Sequence, residues 1–514
     1  MLESLAISLT VFLPLAGAGA IALIPKASED SAKSVALGVS LVGFLLSLGI
    51  LAGYYLGPAG GQGMAFEVNL PWIAAIGANY HVGIDGISLP LFVLSYLLTF
   101  LCSVYAFHHI EEPGKPRAFL SLMLMLQTGM AGTFIAFDLV LFFIFWELVL
   151  VPMYFMIGIW GGPQREYAAI KFFLYTLFGS VFMLVAFLAL YFAFPGQTPT
   201  FDIVVLIRNA GEGYSRTFQI LAFLGIGLGF AIKTPMWPFH TWLPDAHTEA
   251  PTIGSVLLAG VLLKMGTYGF VRIALPILPQ GAVFWAPVIA VLAVVAIIYG
   301  SLCCLAQTDL KRLIAFSSVG HMGFVMLGIA TLTPTGINAA IFGMVAHGLI
   351  TGMLFFLAGS IKDRYHTRAI ADIGGGLLQT MPRMGQILTY VAIASLGLPG
   401  LAGFWGEIFA LLAAFSPAQE LVAAGYLPLY RTLMVFGALG TVLTAGYFLW
   451  MLQRVNMGPA PERWKAAGLG DISVIELGTW APLLALILVL GFLPFLVLGI
   501  TNADVTQILG AFSP

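Results

Sequence analysis

Residues 137–162 read FDLVLFFIFWELVLVPMYFMIGIWGG. Between Leu139 and Trp160 this run carries one charged side chain, Glu147. About 20 apolar residues suffice for a helix to cross the hydrocarbon layer of a bilayer. The same pattern fills the chain: of 514 residues, 60% are hydrophobic and 9% charged, where a soluble domain carries roughly 25% charged residues. Fourteen spans are expected, near 3–24, 34–57, 86–108, 118–136, 139–160, 167–194, 218–240, 253–276, 283–305, 311–331, 336–361, 384–416, 429–455 and 473–499. A transmembrane barrel is excluded, because the runs lack two-residue alternation and are twice the length a strand needs. The chain reads as all-α and polytopic, a single membrane domain over 1–514, its first run a retained helix rather than a cleaved leader.

The basic residues give the topology. The odd-numbered connections hold Lys26, Lys33, Lys115, Arg117, Arg165, Lys311, Arg312, Lys362, Arg364, Arg368, Arg383, Arg454, Arg463 and Lys465; the even ones hold Arg208, Arg216, Arg272 and Arg431. That asymmetry puts the odd connections on the cytoplasmic side and both termini on the outer face. With 21 basic against 23 acidic residues there is no basic face for nucleic acid. Cys102, Cys303 and Cys304 form no CxxC pair, so neither a metal cluster nor a disulfide framework is expected. The Gly-rich connection 58–85 reads as an ordered outer loop, and 195–217 and 456–472 as places for short surface helices.

Three lysines are left over from that count, Lys171, Lys233 and Lys264, and all fall within spans. An ionisable group at mid-bilayer costs at least ~2.5 kcal/mol, so such groups are functional candidates. The deep set is Glu147, Lys233, Lys264 and Glu407, with His240, His321 and His347 as titratable companions. Glu147, Lys233 and Lys264 have no partner at helical spacing on their own spans. Gly260 and Thr267 share the face of Lys264, which suits close helix packing. Two readings stand side by side. Buried Glu–Lys pairs can simply tie helices together, and Ser317, Ser318 and Thr351 offer His321 and His347 ordinary hydrogen bonds. Alternatively, a desolvated lysine whose carboxylate partner comes and goes is a proton-loading switch. No His/Glu pair has metal-ligand spacing, and His81, His108, His109, His247 and His366 fall in expected loops or span ends with no role assigned.

Two spans look broken. Pro235 and Pro238 follow Lys233 directly, and LGLPGLAGFWGE places Pro399 and four glycines before Glu407. Proline frees backbone carbonyls, which is tolerable in a membrane only where protein or water satisfies them. Interrupted helices at corresponding positions of two halves mark inverted repeats with ion sites at the breaks. The repeats are expected at 118–276 (spans four to eight) and 283–455 (spans nine to thirteen), with spans seven and twelve broken.

The stretch KTPMWPFHTWLPDAHTEAPTIGSVLLAGVLLKMGTYG (233–269) closely resembles the signature of the antiporter-like, proton-translocating subunits of respiratory complex I, the NADH-quinone oxidoreductase. Residues 137–162 resemble the fifth helix of that family, and the likeness runs over essentially the whole chain. The form DAHTEAPT followed by LLKMGTYG, with no long lateral helix expected after span fourteen, singles out one branch. The resemblance implies proton transfer at Glu147, Lys233, Lys264 and Glu407, the last being lysine in the sister branches. It implies His321 and His347 as relay members, and polar positions beside the pathway at Asp138 and Arg368; His240, seven residues after Lys233 and on its face were the helix regular, is a further relay candidate. The resemblance further implies partner membrane subunits, above all the sister antiporter-like subunits L and N, and membrane lipids. FMN, iron–sulfur clusters and quinone are expected in partner subunits, with no redox centre, cofactor or metal in this chain. The expected location is a bacterial inner membrane. The competing reading is a subunit of a multi-subunit cation/proton antiporter or membrane-bound hydrogenase.

Overall fold

Backbone polar groups in lipid must be satisfied within the segment, and the computed structural model of the chain, which describes residues 2–25, 28–57, 60–196, 198–209 and 213–512, shows them so satisfied by helices. Lys26 lies outside the described residues. The helices are α1 (Leu2–Leu23), α2 (Glu29–Leu56), α3 (Leu89–His108), α4 (Pro116–Ile135), α5 (Leu139–Trp160) and α6 (Arg165–Phe192). Then come α7a (Arg216–Lys233) and α7b (Trp242–Glu249), α8 (Thr252–Ile277), α9 (Pro279–Leu305), α10 (Leu310–Ala330) and α11 (Pro334–Tyr365). The last are α12a (Pro382–Ser395), α12b (Gly403–Phe415), α13 (Leu427–Val455), α14 (Val474–Phe492) and α15 (Phe495–Ile508). Thirteen of these are long and apolar enough to cross a membrane. The remaining expected span, near 384–416, is the pair α12a and α12b, each too short to cross alone. Short helices also form at Ile203–Arg208 and Glu462–Ala466, within the connections expected to hold them.

Burial sorts the helices by role. The α8 helix is buried along its whole length, and α10 and α11 nearly so, whereas α2, α13 and α14 turn most of their surface outward. Their exposed residues are large and apolar: Leu45 and Leu46 on α2, Val442 and Leu449 on α13, Leu488 and Val489 on α14. That is the composition of a lipid-facing wall around a central axis.

The connection at 58–85 is more than a loop. Strand β1 (Ala65–Ile73) pairs antiparallel with β2 (Ala78–Ile84), through a turn with Gly77 at φ +63°. The hairpin lies over the end of the bundle where the even connections emerge, hereafter the hairpin side; the opposite end is the basic side. On the hairpin side Arg272 of α8 is buried and grips Asp85 at 2.5 and 2.6 Å. Asp504 of α15 accepts from the backbone amides of Gly63 and Gly86 and from the Tyr54 hydroxyl.

Both expected breaks are present. After Lys233 the chain leaves the helix through Pro235 and Pro238, and the Ile232 carbonyl is taken by the Trp242 indole N–H at 2.9 Å. Between α12a and α12b, Gly397 and Gly400 adopt φ +82° and +95°, a region that an L side chain rarely enters. There the Ala402 amide reaches Ile487 of α14.

Candidate functional site

The wholly buried helix α8 carries Lys264, itself 0% exposed. Two π-helical turns, Leu258–Leu262 and Phe270–Ala274, flank it. Such turns arise where an extra residue is fitted into an α-helix. Gly260 and Gly348 let α8 and α11 touch backbone to backbone: a Cβ on Gly348 would come within 2.9 Å of the Gly260 carbonyl oxygen. The approach brings Lys264 Nζ to 2.7 Å from His347 Nδ1, and the same ammonium donates to the Ala259 carbonyl. Thr267, on the same face, donates to Met344 Sδ of α11.

From His347 the line continues. Its ring faces that of His321 with centroids 5.8 Å apart. His321 Nδ1 lies 2.9 Å from Glu407 Oε1, and Nε2 lies 3.1 Å from Ser395 Oγ. His347 Nε2, Thr351 Oγ1 and Glu407 Oε2 have no hydrogen-bond partner among the described residues. These groups border a small cavity of about 30 Å³, room for about two water molecules. Two nearby carboxyl or hydroxyl groups and two imidazoles, each within reach of the next directly or through one water, can pass a proton along the row. The hydroxyls of Ser317 and Ser318 both donate to the Ile314 carbonyl, so they do not satisfy His321, whose partners come from α12a and α12b.

Glu147 and Lys233 are neighbours without touching. Lys233 is 2% exposed, and its ammonium lies 5.1 Å from the Trp146 ring centre and 6.0 Å from that of Phe172. No carboxylate of the described residues comes within 4 Å of it, while Glu147, half-buried beside Ser180, reaches it through space. Instead of a touching carboxylate, the aromatic faces give the ammonium a desolvated cation–π environment. Trp146 is fixed in turn by donating to Ser180 Oγ at 3.0 Å.

His240 stands apart from this row. The helix ends at Lys233, so the two do not share a helical face; His240 packs edge-on against Tyr299 at 5.0 Å, and its Nδ1 has no partner among the described residues. Asp138 is a helix cap, accepting from Val140 and Leu141 of α5 and from Asn79 of the hairpin. Lys171 pairs with Asp245 at 2.7 Å. Arg368 pairs with Asp309 at 3.2 Å and Glu249 at 3.6 Å, on the border of a polar cavity of about 530 Å³ at the basic side.

Two residues escaped the sequence reading. His247 is fully buried, its ring stacked on Phe355 at 4.7 Å, with both nitrogens unpartnered among the described residues. The charges of Lys311 and Lys264 both reach it. Lys311, counted above as a connection residue, is 5% exposed and donates to the Ala250 carbonyl. Thr248 and Glu249, which follow His247 in the chain, line the polar cavity. The signal for His247 lies in Trp242, Leu243 and Ala246, apolar at helical spacing just before it, which marks 242–249 as helix α7b rather than loop.

The family model described as NADH:quinone oxidoreductase/Mrp antiporter, TM matches residues 136–427. That of NADH-ubiquinone oxidoreductase chain 4, amino terminus, matches 65–133. The chain is 43% identical to the NADH-quinone oxidoreductase subunit M of Rhodobacter capsulatus, over 98% of this chain and 96% of that one. It is 40% identical to an NAD(P)H-quinone oxidoreductase chain 4 of Nostoc, over 97% and 90%. Among solved structures, a chain of respiratory complex I from Thermus thermophilus superposes with a TM-score of 0.84 at 29% identity, covering 98% of this chain and all of that one. A chain of the archaeal membrane-bound sulfane sulfur reductase gives 0.84 at 20% identity, a likeness of fold.

Proposed function

This chain belongs to the NADH:quinone oxidoreductase/Mrp antiporter family of membrane subunits, and we propose that protons pass from Lys233 to Lys264, with Lys311 and His247 beside it on the basic side, and on through His347, His321 and Glu407. The chain is an antiporter-like subunit of a proton-translocating NADH-quinone oxidoreductase. The observation that carries the proposal is the run of close contacts from Lys264 Nζ to His347, from the His347 ring to that of His321, and from His321 to Glu407.

In this reading protons are taken up at the basic side from the polar cavity beside Arg368 and leave beyond Glu407. Lys233 is the loading site. Its charge is favoured while Glu147 is ionised and disfavoured when Glu147 is neutral, so the proton moves on toward Lys264. Each proton carried against 100 mV costs about 2.3 kcal/mol, matched by a swing of under two pKa units at about 1.36 kcal/mol each. NADH oxidation and quinone reduction, with FMN and iron–sulfur clusters, fall to partner subunits. Those partners include the sister antiporter-like subunits L and N, in a bacterial inner membrane with both termini outside. His240 serves the inner approach to Lys233, and residues 118–276 and 283–455 form the two inverted halves.

The test compares membranes carrying Lys264→Met with wild type at equal levels of assembled complex, recording NADH oxidation and the pH gradient together. Loss of the gradient is expected. A wild-type number of protons per NADH would remove Lys264 from the path.

A further inference from the structure

The π turn at Leu258–Leu262 has a chemical consequence for the lysine that follows it. In an α-helix the Ala259 carbonyl accepts from the Leu263 amide. Here that amide reaches back to Leu258 instead, and Ala259 is left without its helical donor. The Lys264 ammonium supplies the missing bond from the side chain of the same helix. The carbonyl that holds the ammonium thus exists because of the π turn, and the same ammonium sits 2.7 Å from His347 Nδ1.

Both ends of α8 are anchored. On the hairpin side Arg272 is gripped by Asp85. On the basic side the Thr252 amide donates to Glu111 at 2.6 Å, and Ser255 Oγ donates to the His247 carbonyl at 3.0 Å. With fixed ends the extra residue cannot leave the helix; it can only travel along it. Passage of the π turn beyond Lys264 turns that residue by about 100° and shifts it by about 1.5 Å, which takes the amine away from His347.

We propose that the π turn at 258–262 is the positioning element of Lys264, held in place by the ammonium's bond to Ala259 and travelling past the lysine once that residue is neutral. The inference rests on the reading of Lys264 as a proton carrier. The transferred proton leaves Nζ and bonds to His347 Nδ1, so the neutral amine remains on α8 and the positive charge passes to the imidazole. An ammonium makes a charge-assisted bond to a carbonyl, roughly twice as strong as the neutral amine makes. Its loss frees Ala259 to take back the Leu263 amide. The groups facing Lys264 that respond to the change are His347 and His247, both buried and within reach of its charge.

The experiment is an electron cryo-microscopy structure of the intact complex carrying Lys264→Met, beside one carrying Lys264→Arg. In the Met variant the Leu263 amide is expected back on Ala259, with the π turn displaced toward 270–274. In the Arg variant, whose charge is permanent, the turn is expected to stay at 258–262. A π turn unmoved in the Met variant overturns the proposal, even if that variant has lost pumping as the functional reading requires. A one-residue deletion of Val261 gives an independent readout: it removes the extra residue, and protons per NADH should fall at least tenfold in assembled complex. A wild-type ratio in that deletion would overturn the proposal too.

Discussion

His321 and Glu407 share a 2.9 Å hydrogen bond, yet the second carboxylate oxygen of Glu407 faces the cavity with no partner among the described residues. One oxygen fixes the carboxylate and the other is free to take a proton. Glu407→Gln keeps the size and the bond to His321 but removes the site of charge. The complex should assemble, and protons moved per NADH should fall at least tenfold, measured with a pH-gradient dye in sealed vesicles. Pumping unaffected by this change would mean that the row ends elsewhere.

The Lys233 ammonium lies against the Trp146 ring, 5.1 Å from its centre. A desolvated cation–π contact is worth about 2 kcal/mol, so removing the aromatic face should shift lysine loading by more than an order of magnitude. Trp146→Leu is expected to cut the proton-to-electron ratio severely, and Trp146→Phe, which keeps a ring, to spare most of it. Equal ratios in the two variants would show that the ring does not act on the lysine.

On the hairpin side, His81 lies 2.8 Å from Asp202 and 3.0 Å from Glu67. Burial alone would lower the imidazole, but Asp202 and then Glu67 hold it above its usual 6.5. Burial raises the Asp202 carboxyl, and His81 more than offsets that, leaving it below its usual 3.8. The stability from His81 is complete below 6.5 and is lost as pH rises through its raised value. That from Asp202 is complete above 3.8 and is lost as pH falls through its lowered value. The thermal midpoint of His81→Asn should therefore lag wild type most between these limits and converge with it in alkali. A gap that widened with alkali would reverse the assignment.

Asp85 is the carboxylate that grips buried Arg272. Removing one partner of a buried ion pair leaves an uncompensated charge, at a cost of about 3–5 kcal/mol. Asp85→Leu should lower the yield of assembled complex sharply, and adding Arg272→Met should restore much of it. A double variant no better than the single one would show that Asp85 acts through its other contacts.

Much of this was legible before any coordinates. Apolar run lengths located the spans, because crossing lipid leaves few other solutions, and Pro235, Pro238 and the 396–403 glycines located the breaks. Glu147, Lys233, Lys264 and Glu407 stood out because charge inside an apolar run is rare. The row itself was less legible, since neither the distance from Lys264 to His347 nor that from His321 to Glu407 is encoded by local spacing. His247 was passed over because DAHTEAPT reads as polar connection until α7b is seen folded inward. Lys311 was passed over because a lysine in the first turn of a helix counts by default as surface charge. The π turns leave no local mark in the sequence; their surroundings are the Gly260–Gly348 contact and the two anchored ends of α8. The hairpin was hidden by Pro71 and the surrounding glycines, which read as loop.

The bond from Tyr54 to Asp504 joins positions 450 residues apart. During synthesis the first membrane helices are inserted long before Asp504 leaves the ribosome. Until then the amides of Gly63 and Gly86, which Asp504 also holds, lack their acceptor. The hairpin side is thus closed by a segment made long after the hairpin itself, and contacts of such long sequence separation form late. A nascent chain stalled before α15 presents an unfinished end, which a cell's membrane quality control can read as a sign of incomplete biogenesis.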